Sequence, residues 1–207
     1  MSVVIEFAPT SALPAVALSA AAGPINARLV ERGLASLDAA AAWLHAQPYG
    51  HNRRRDATAI FDEGVGTCVT KHGTFVTASQ ELGVDVALEW GTYALTDEIV
   101  TGVGEILARY GLPFVPRVHC FLRHGNVRVD LTEGNCNGKN VLITEYLQLD
   151  EVAFGAAEEP HLRRVAERLC REHPDFADAT PDLLAEALDA CGPTFVAACA
   201  RQAVSSG

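Results

Sequence analysis

The segment 118–132 limits what this chain can fold into more than any other part of the sequence. It reads VHCFLRHGNVRVDLT, in which apolar and polar residues alternate on both sides of His-Gly-Asn. Alternation with a period of two is typical of β-strands that bury one face, and glycine and asparagine favour tight turns. The segment therefore predicts an antiparallel hairpin, with strands at 118–123 and 126–132.

The register of this hairpin decides which side chains meet. A two-residue turn at His124-Gly125 places His119 directly opposite Asp130. Directly opposed residues have Cβ atoms about 4.5–5.5 Å apart, so we expect a hydrogen bond of about 2.6–3.2 Å between the imidazole and the carboxylate. A turn at Gly125-Asn126 is the alternative, and it keeps both side chains on one face but offsets them by two residues.

A histidine held in place by a carboxylate can activate a nucleophile. A cysteine at the start of a predicted helix supplies that nucleophile. Residues 68–82, CVTKHGTFVTASQEL, follow Thr67, a residue type that commonly caps helix N-termini. A thiol in the first turn lies against unpaired N–H groups and the positive end of the helix dipole, which favours the thiolate. The sequence therefore predicts a catalytic triad of Cys68, His119 and Asp130.

Weaker patterns predict the remaining elements. Apolar residues with helical spacing recur through 25–47, which we interpret as one helix that Pro48 and Gly50 end. A polar connection with a short helical turn then leads to the Cys68 helix. The other predicted elements are strands over 3–7 and 84–95 and helices over 97–110, 160–173 and 181–204.

The chain contains no repeat, low-complexity tract or linker that would mark a domain boundary. We expect a single domain over 1–207, with its core at about 48–132 and additional C-terminal helices at about 160–204. With 207 residues, 49% of them apolar, such a domain can bury roughly 70% of the surface that the unfolded chain exposes. Neither a disulfide framework nor a structural metal is needed for stability.

The charge balance limits the expected partners. The chain has 26 acidic and 16 basic residues and a formal charge of −10. Nucleic acids and anionic membranes are bound by clustered Lys and Arg, and the only basic run, Arg53-Arg54-Arg55, is short. We predict that this run is solvated, with a contact to a substrate anion as the alternative. Neither a nucleic acid nor a membrane is an expected partner.

Three features predict a cytoplasmic location. The acidic Glu6 stands where a secretory signal has basic residues. No stretch of about eighteen apolar residues is free of Pro, Gly or charge, so no transmembrane helix is expected. The six cysteines show no CxxC spacing, which is typical of thiols in a reducing compartment.

The segment 64–86, GVGTCVTKHGTFVTASQELGVDV, resembles the core motif of the transglutaminase-like superfamily, which is related to the papain-like cysteine proteins. In that motif G-x-C opens an apolar helix, and a histidine and an aspartate follow on adjacent strands. The pieces PYGHNRRR, GTCVTKH and HCFLRHGNVRVDLT together are similar to a group of uncharacterised bacterial proteins in this superfamily. The separation between His119 and Asp130 is shorter than the usual hairpin of the family gives.

This resemblance covers about residues 48–132 and implies an α+β fold of papain-like architecture, in which the Cys68 helix packs on an antiparallel sheet. It implies acyl transfer or amide hydrolysis through a Cys68 thioester, with a protein, a peptide or a small amide as substrate. By analogy with the bacterial group, hydrolysis or deamidation is favoured over crosslinking. No cofactor is expected, and no acidic loop has the spacing of calcium ligands.

The oxyanion site departs from the family pattern. Crosslinking transglutaminases carry a tryptophan before the cysteine, whereas Trp90 follows it here. The upstream candidates for an oxyanion or pocket role are Tyr49 and Asn52. The Asn52 amide could donate to a developing oxyanion together with the Cys68 backbone N–H, or it could instead satisfy the local turn.

Other polar residues near Cys68 have competing interpretations. His72, one turn along the helix, is a rival general base, but a structural or pocket-lining role is favoured because its side chain leans back toward the thiol. Lys71 and the loop 133–140, which contains Asn135, Asn137 and Lys139, are candidates for the rim of the cleft, but a solvated loop is the favoured interpretation.

Two other classes of function remain as alternatives. Zinc could be bound by Cys68, His72, His119 and Cys120, whose side chains are common zinc ligands. Strand alternation sends His119 and Cys120 to opposite faces, however, which counts against one shared site. The second alternative is a catalytically silent scaffold of the same fold that binds a partner.

Overall fold

The computed structural model describes residues 2–54 and 56–205 and has the mixed helix and strand content of an α+β protein. Seven α-helices and six strands lie in these described residues. In chain order they are β1 (Val3–Val4), α1 (Pro24–Glu31), α2 (Leu37–Ala46), α3 (Ala59–Glu63), α4 (Cys68–Glu81), β2 (Ala87–Leu95), α5 (Val103–Tyr110), β3 (Val115–His124), β4 (Val127–Val129), β5 (Glu145–Tyr146), β6 (Gln148–Val152), α6 (Glu158–Glu172) and α7 (Pro181–Ser205).

The predicted hairpin is present as β3 and β4, but its register is the alternative one. His124 pairs with Val127 and Leu122 pairs with Val129, so the turn is at Gly125-Asn126. The favoured turn at His124-Gly125 is wrong. Two-residue hairpin turns require a positive φ at their first position, and here Gly125 takes that position with φ of 55°, where His124 would be strained.

The hairpin forms one edge of a four-stranded antiparallel sheet in the order β4-β3-β2-β6. β4 pairs only with the last residues of β3, so no strand of the described residues lies beside the edge of β3 before Leu122. A separate two-stranded antiparallel sheet joins β1 to β5. Cys68, the first residue of α4, interacts with Cys120 and His119, whose side chains are on opposite faces of β3, and this places it beside the open edge.

The four-stranded sheet is covered by helices on both faces. Trp90 and Cys120 belong to a core that contains apolar residues of α1, α2 and α4. Tyr93 and Phe121 belong to a second core, built with α5, α6 and α7. Residues of opposite parity on β2 and β3 thus enter different cores, as the pleat of a strand requires. The C-terminal helices pack on the second core, as expected.

α4 begins at Cys68, as predicted. The side chain of Thr67 accepts a hydrogen bond from the Thr70 backbone N–H at 3.4 Å, which satisfies one N–H group of the first turn. Phe75, Val76 and other apolar side chains of α4 are buried in the core between α2 and the sheet. This packing holds the first turn of the helix against the edge of β3.

The single helix expected over 25–47 is wrong, because two helices occupy this range. α1 ends at Glu31, and Gly33 has a φ of 77°, which a right-handed helix cannot contain. Ser36 is extended and precedes α2. The apolar spacing was correct for each helix separately, and the glycine turned the chain between them.

Within the described residues, one helix is long and apolar enough, by its length and composition alone, to cross a membrane. It spans Pro181–Val204, with a mean hydropathy of 1.4 and 28% of that window buried. Core helices of soluble proteins pass the same test, and Cys191 and Phe195 of this helix are buried in the second core. The fold is therefore compatible with a soluble protein.

Candidate active site

His119 and Asp130 form the predicted hydrogen bond. The distance from His119 Nε2 to Asp130 Oδ2 is 2.7 Å, and both side chains are buried. The shifted register does not separate them, because an offset of two residues keeps both on the same face of the hairpin. Asp130 follows the last residue of β4 and reaches His119 diagonally rather than from directly opposite.

The Asp130 carboxylate is held in a charged form. Its Oδ1 atom accepts hydrogen bonds from the backbone N–H and the hydroxyl of Thr132, each at 2.7 Å. Burial favours the neutral acid, but the charge and hydrogen bond of His119 outweigh it and lower the pKa of Asp130 well below its usual range. A fixed carboxylate of this kind holds the imidazole in the tautomer with Nε2–H.

The Cys68 thiol lies at the first residue of α4, is half-buried, and interacts with both Cys120 and His119. A hydrogen bond with Cys120 lowers its pKa most. Burial acts in the opposite direction, and the hydrogen bond and charge of His119 then add to the lowering. The pKa of Cys68 is therefore well below that of an ordinary thiol, which makes it the thiolate candidate among the six cysteines.

His119 is stabilised in its protonated form. Burial and the ammonium group of Lys139 both disfavour the charged ring, but the Asp130 carboxylate and the Cys68 thiol outweigh them, so the pKa of His119 is raised. Since Nε2 is bound to Asp130, the other nitrogen, Nδ1, remains for the proton of Cys68. The three residues can therefore hold a thiolate and an imidazolium beside a carboxylate.

The backbone N–H of Cys68 has no hydrogen-bond partner among the described residues. It belongs to the first turn of α4, where N–H groups lack partners within the helix. A donor at the residue that carries the nucleophile is placed to stabilise an oxyanion formed on the attacked carbonyl.

Tyr49 and Asn52 lie on the loop before the nucleophile, but they differ in what they contact. Asn52 donates to the Val65 carbonyl at 2.8 Å and accepts from the Thr70 hydroxyl at 2.7 Å, so its amide ties the loop to α4 as the turn interpretation expects. Tyr49 is close to the thiol. Burial and then the charge of Cys68 raise the pKa of Tyr49 well above its usual value.

His72 has no nitrogen available for proton transfer. Its Nε2 atom accepts the Leu131 backbone N–H at 2.7 Å, which requires the hydrogen to be on Nδ1, and Nδ1 lies 2.8 Å from the Cys68 carbonyl oxygen. Burial lowers the pKa of His72 to about 4, so the ring is neutral. This contact pattern agrees with the structural role expected for His72.

Cys120 is a neighbour of the nucleophile that the strand pattern missed. Alternation places Cys120 and His119 on opposite faces of β3, yet Cys68 interacts with both. The open edge of β3 explains this, because a group beside an unpaired edge can reach side chains of either face. Strand alternation alone therefore does not predict that Cys120 lies beside the nucleophile. Burial and Cys68 raise the pKa of Cys120 well above its usual value.

The two lysines considered as candidates for the rim of the cleft occupy different environments. Lys139, on the loop 133–140, places its Nζ atom 3.2 Å from His119 Nδ1 and so borders the site. Lys71 does not rim the cleft, because it is fully buried and donates to the carbonyls of His45, at 3.1 Å, and Gln47. Burial lowers the pKa of Lys71 to about 8. The helix pattern alone cannot show that the chain around His45 and Gln47 encloses the face of α4 that carries Lys71.

In the part of the chain that the structure describes, no group of three or more His, Cys, Asp and Glu side chains could hold a metal ion. This finding weighs against the zinc alternative. Of the basic run, Arg53 and Arg54 are exposed, and Arg54 forms ion pairs with Asp56 and Asp62, whereas Arg55 lies outside the described residues.

Comparison of the chain with models of known protein families, with curated proteins and with solved structures finds no match in any of the three. What the site can do is therefore inferred from its own contacts and charges. A cysteine whose pKa a histidine helps to lower, with that histidine hydrogen-bonded to a buried aspartate, has the residue types that nucleophilic thiol chemistry uses.

Proposed function

We propose that this protein is a thiol acyltransferase or amide hydrolase with a transglutaminase-like, papain-like core, in which Cys68, His119 and Asp130 form the catalytic triad. The observation that carries the proposal is the buried hydrogen bond of 2.7 Å between His119 and Asp130, beside a Cys68 thiol whose pKa His119 helps to lower. The resemblance of 64–86 to the core motif of that superfamily supports it, as does the packing of the Cys68 helix against an antiparallel sheet.

In the first half of the reaction the Cys68 thiolate attacks the carbonyl carbon of an amide, and a carbon–sulfur bond forms. The carbonyl oxygen becomes an oxyanion, which the Cys68 backbone N–H stabilises. The carbon–nitrogen bond then breaks. The leaving amine takes the Nδ1 proton of His119, so a neutral amine departs and a thioester remains on Cys68.

In the second half His119, now neutral, accepts a proton from a water molecule or an acceptor amine. That nucleophile attacks the thioester, the carbon–sulfur bond breaks, and the acyl group leaves as an acid or a new amide. The thiolate and the imidazolium are restored. We favour water as the acceptor, which makes the protein a hydrolase or deamidase acting on a protein, a peptide or a small amide in the cytoplasm.

A direct test traps the acyl intermediate with 4-nitrophenyl acetate, an activated ester that acetylates nucleophilic thiols. The expected result is a burst of 4-nitrophenolate and an acetyl group on Cys68 in the peptide mass spectrum, both lost in Cys68→Ala. Cys170→Ala is the matched control, because Cys170 is also half-buried but burial raises its pKa, and it should behave like the wild type.

Selective labelling distinguishes the proposed enzyme from the alternative of a catalytically silent scaffold. Iodoacetamide at about pH 6 should label Cys68 before the other five thiols, because only a thiolate reacts readily and an ordinary thiol has a pKa near about 8.5. Equal labelling of all six thiols together with no acetylation of Cys68 would reject the proposed chemistry. The scaffold alternative would then be the better description.

A further inference from the structure

One cationic side chain contacts the candidate site, and a second starts from the same face of the sheet two residues before His119. Lys139 reaches His119 from the loop 133–140, with Nζ 3.2 Å from Nδ1. Arg117 lies two residues before His119 on β3, so the two share a face of the strand and their Cα atoms are about 6.5–7 Å apart.

One helix, α7, contacts both cations and holds them beside the site. The guanidinium carbon of Arg117 lies 4.1 Å from the ring centroid of Phe195. One helical turn further along α7, Cys199 packs against Gly138, so closely that a Cβ added at Gly138 would lie 2.7 Å from its sulfur. Gly138 directly precedes Lys139, so the same face of α7 touches Arg117 and the loop that carries Lys139.

The backbone of Lys139 is fixed, whereas its side chain ends at the site. Its carbonyl accepts a hydrogen bond from Gln202 of α7 at 2.7 Å, and its N–H donates to Asn137 at 3.1 Å. The neighbouring Gly138 N–H donates to the same glutamine at 2.8 Å. The backbone position from which the Lys139 side chain extends is therefore well defined. Among the described residues, the hydrogen-bond partner of its ammonium group is His119 alone.

Neither cation forms an ion pair with a carboxylate of the described residues 2–54 and 56–205. Many arginines elsewhere do form such pairs, among them Arg28, Arg54, Arg123, Arg128, Arg163 and Arg171. The charges of Asp130 and Glu133 act on Lys139 only through space.

The contact between Lys139 and His119 also conflicts with catalysis. Since Nε2 is bound to Asp130, the Lys139 ammonium lies against Nδ1, the nitrogen that must take the Cys68 proton, and only the neutral form of the ring could accept a hydrogen bond there. An imidazolium would have a hydrogen on Nδ1, and the contact with Lys139 would become repulsive. A productive site therefore needs another acceptor for the ammonium.

We propose that Lys139 and Arg117 bind a carboxylate of the acyl substrate, placed a few bonds from the carbonyl that Cys68 attacks. This inference rests on the proposed function and names its substrate class, an anionic acyl compound such as a dicarboxylic monoamide or a peptide carboxylate. The carboxylate supplies the acceptor that the ammonium lacks, and drawing Lys139 away frees Nδ1 of His119. Binding of the correct substrate thereby activates the base.

Two small alkylating agents test the subsite, because they share one reaction and differ in charge. Iodoacetate and iodoacetamide both form a sulfur–carbon bond with the Cys68 thiolate while the carbon–iodine bond breaks and iodide leaves. Only iodoacetate has a carboxylate. The measured quantity is the ratio of the two labelling rates of Cys68 at pH 7, divided by the same ratio for 2-mercaptoethanol.

The wild-type ratio should be about tenfold or more, since two cations near a half-buried site attract an anion without needing full burial. Lys139→Met and Arg117→Met should each lower it about threefold to tenfold, and Lys139→Arg should retain most of it. Arg123→Met is the matched control on the same strand, since Arg123 is paired with Glu89 and Glu151, and it should change the ratio by less than about twofold.

A normalised ratio near one, or a ratio unchanged in both methionine variants, would overturn the anionic subsite. The proposed triad would survive that result as long as labelling by iodoacetamide still slowed in His119→Ala. If labelling by iodoacetamide were itself indifferent to His119, both the triad and the substrate class would be rejected.

Discussion

His72 on α4 and His119 on β3 lie on either side of the Asp130 carboxylate, yet their surroundings drive them to opposite charge states. His119 Nε2 is 2.7 Å from the carboxylate and His72 Nε2 is 3.5 Å from it. Both nitrogens of His72 are occupied by backbone groups and burial lowers its pKa to about 4, whereas the pKa of His119 is raised.

The comparison teaches that burial beside a carboxylate does not by itself make a histidine a base. A backbone N–H that points at an imidazole nitrogen requires that nitrogen to accept, which fixes the neutral tautomer. A side chain that keeps one nitrogen toward the thiol can instead gain and lose a proton. Within one site, the partner of the second nitrogen separates a structural histidine from a catalytic candidate.

The largest expected effect is on stability, in His72→Ala. The substitution leaves the buried Leu131 N–H without an acceptor and opens a cavity in the core, so the free energy of unfolding at pH 7 should fall by about 3 kcal/mol. Urea denaturation measures this. The rate at which iodoacetamide labels Cys68 should change by less than about threefold, and a larger loss would mean that His72 takes part in the chemistry.

His119→Ala should produce the converse result in the labelling rate. Removing the imidazole takes away a group that stabilises the thiolate, and labelling of Cys68 at about pH 6 should slow by about 100-fold. Since Asp130 also loses its partner, His119→Gln provides a variant whose amide can still donate to the carboxylate. It should label as slowly as the alanine variant, and near-wild-type labelling of His119→Gln would disprove the role of the imidazole.

The pH dependence of the free energy of unfolding should distinguish the titration of His72 from that of His119. Its folded pKa of about 4 lies below the unfolded value near about 6.5, so the unfolded state binds more protons between these pH values and stability falls on acidification. From pH 7 to pH 5 this contribution amounts to about 2 kcal/mol. His119, with a raised pKa, has the opposite sign and stabilises the fold most at low pH.

The measurement is a double difference. Urea denaturation of wild type and His72→Ala at pH 7 and pH 5 should show the gap between them shrinking by about 2 kcal/mol at the lower pH, because the variant has no neutral imidazole to protonate. A gap that stayed constant would show that His72 titrates normally in the folded protein.

The smallest effect is expected for Asp130→Asn. The amide keeps the shape of the carboxylate but loses the charge, so His119 is held less firmly in the Nε2–H tautomer. Labelling of Cys68 should slow by about tenfold, less than in His119→Ala, because the imidazole itself remains. The control is Asp150→Asn, at a carboxylate that lies 3.9 Å from His161 and outside the site, and it should label normally. Equal rates for Asp130→Asn and wild type would remove Asp130 from the triad.

Local patterns were sufficient for the parts of the site that depend on one helix or one hairpin. The helix at Cys68 follows from its capping threonine, and the His119–Asp130 couple follows from strand parity, which survives a shift of two residues in the register. The break between α1 and α2 was missed because Gly33 is tolerated in a helical pattern, and only the fold shows its positive φ.

The sequence by itself therefore predicted the helix that begins at Cys68, the contact between His119 and Asp130, and a structural or pocket-lining role for His72. Only the tertiary structure brought Cys120 to the thiol, Lys139 to His119 and Lys71 into the core. These contacts join segments far apart in the chain, so no local period or propensity encodes them. They depend on how α4 meets the open edge of β3 and how α7 packs on the loop 133–140, which is decided by the burial of two separate apolar cores.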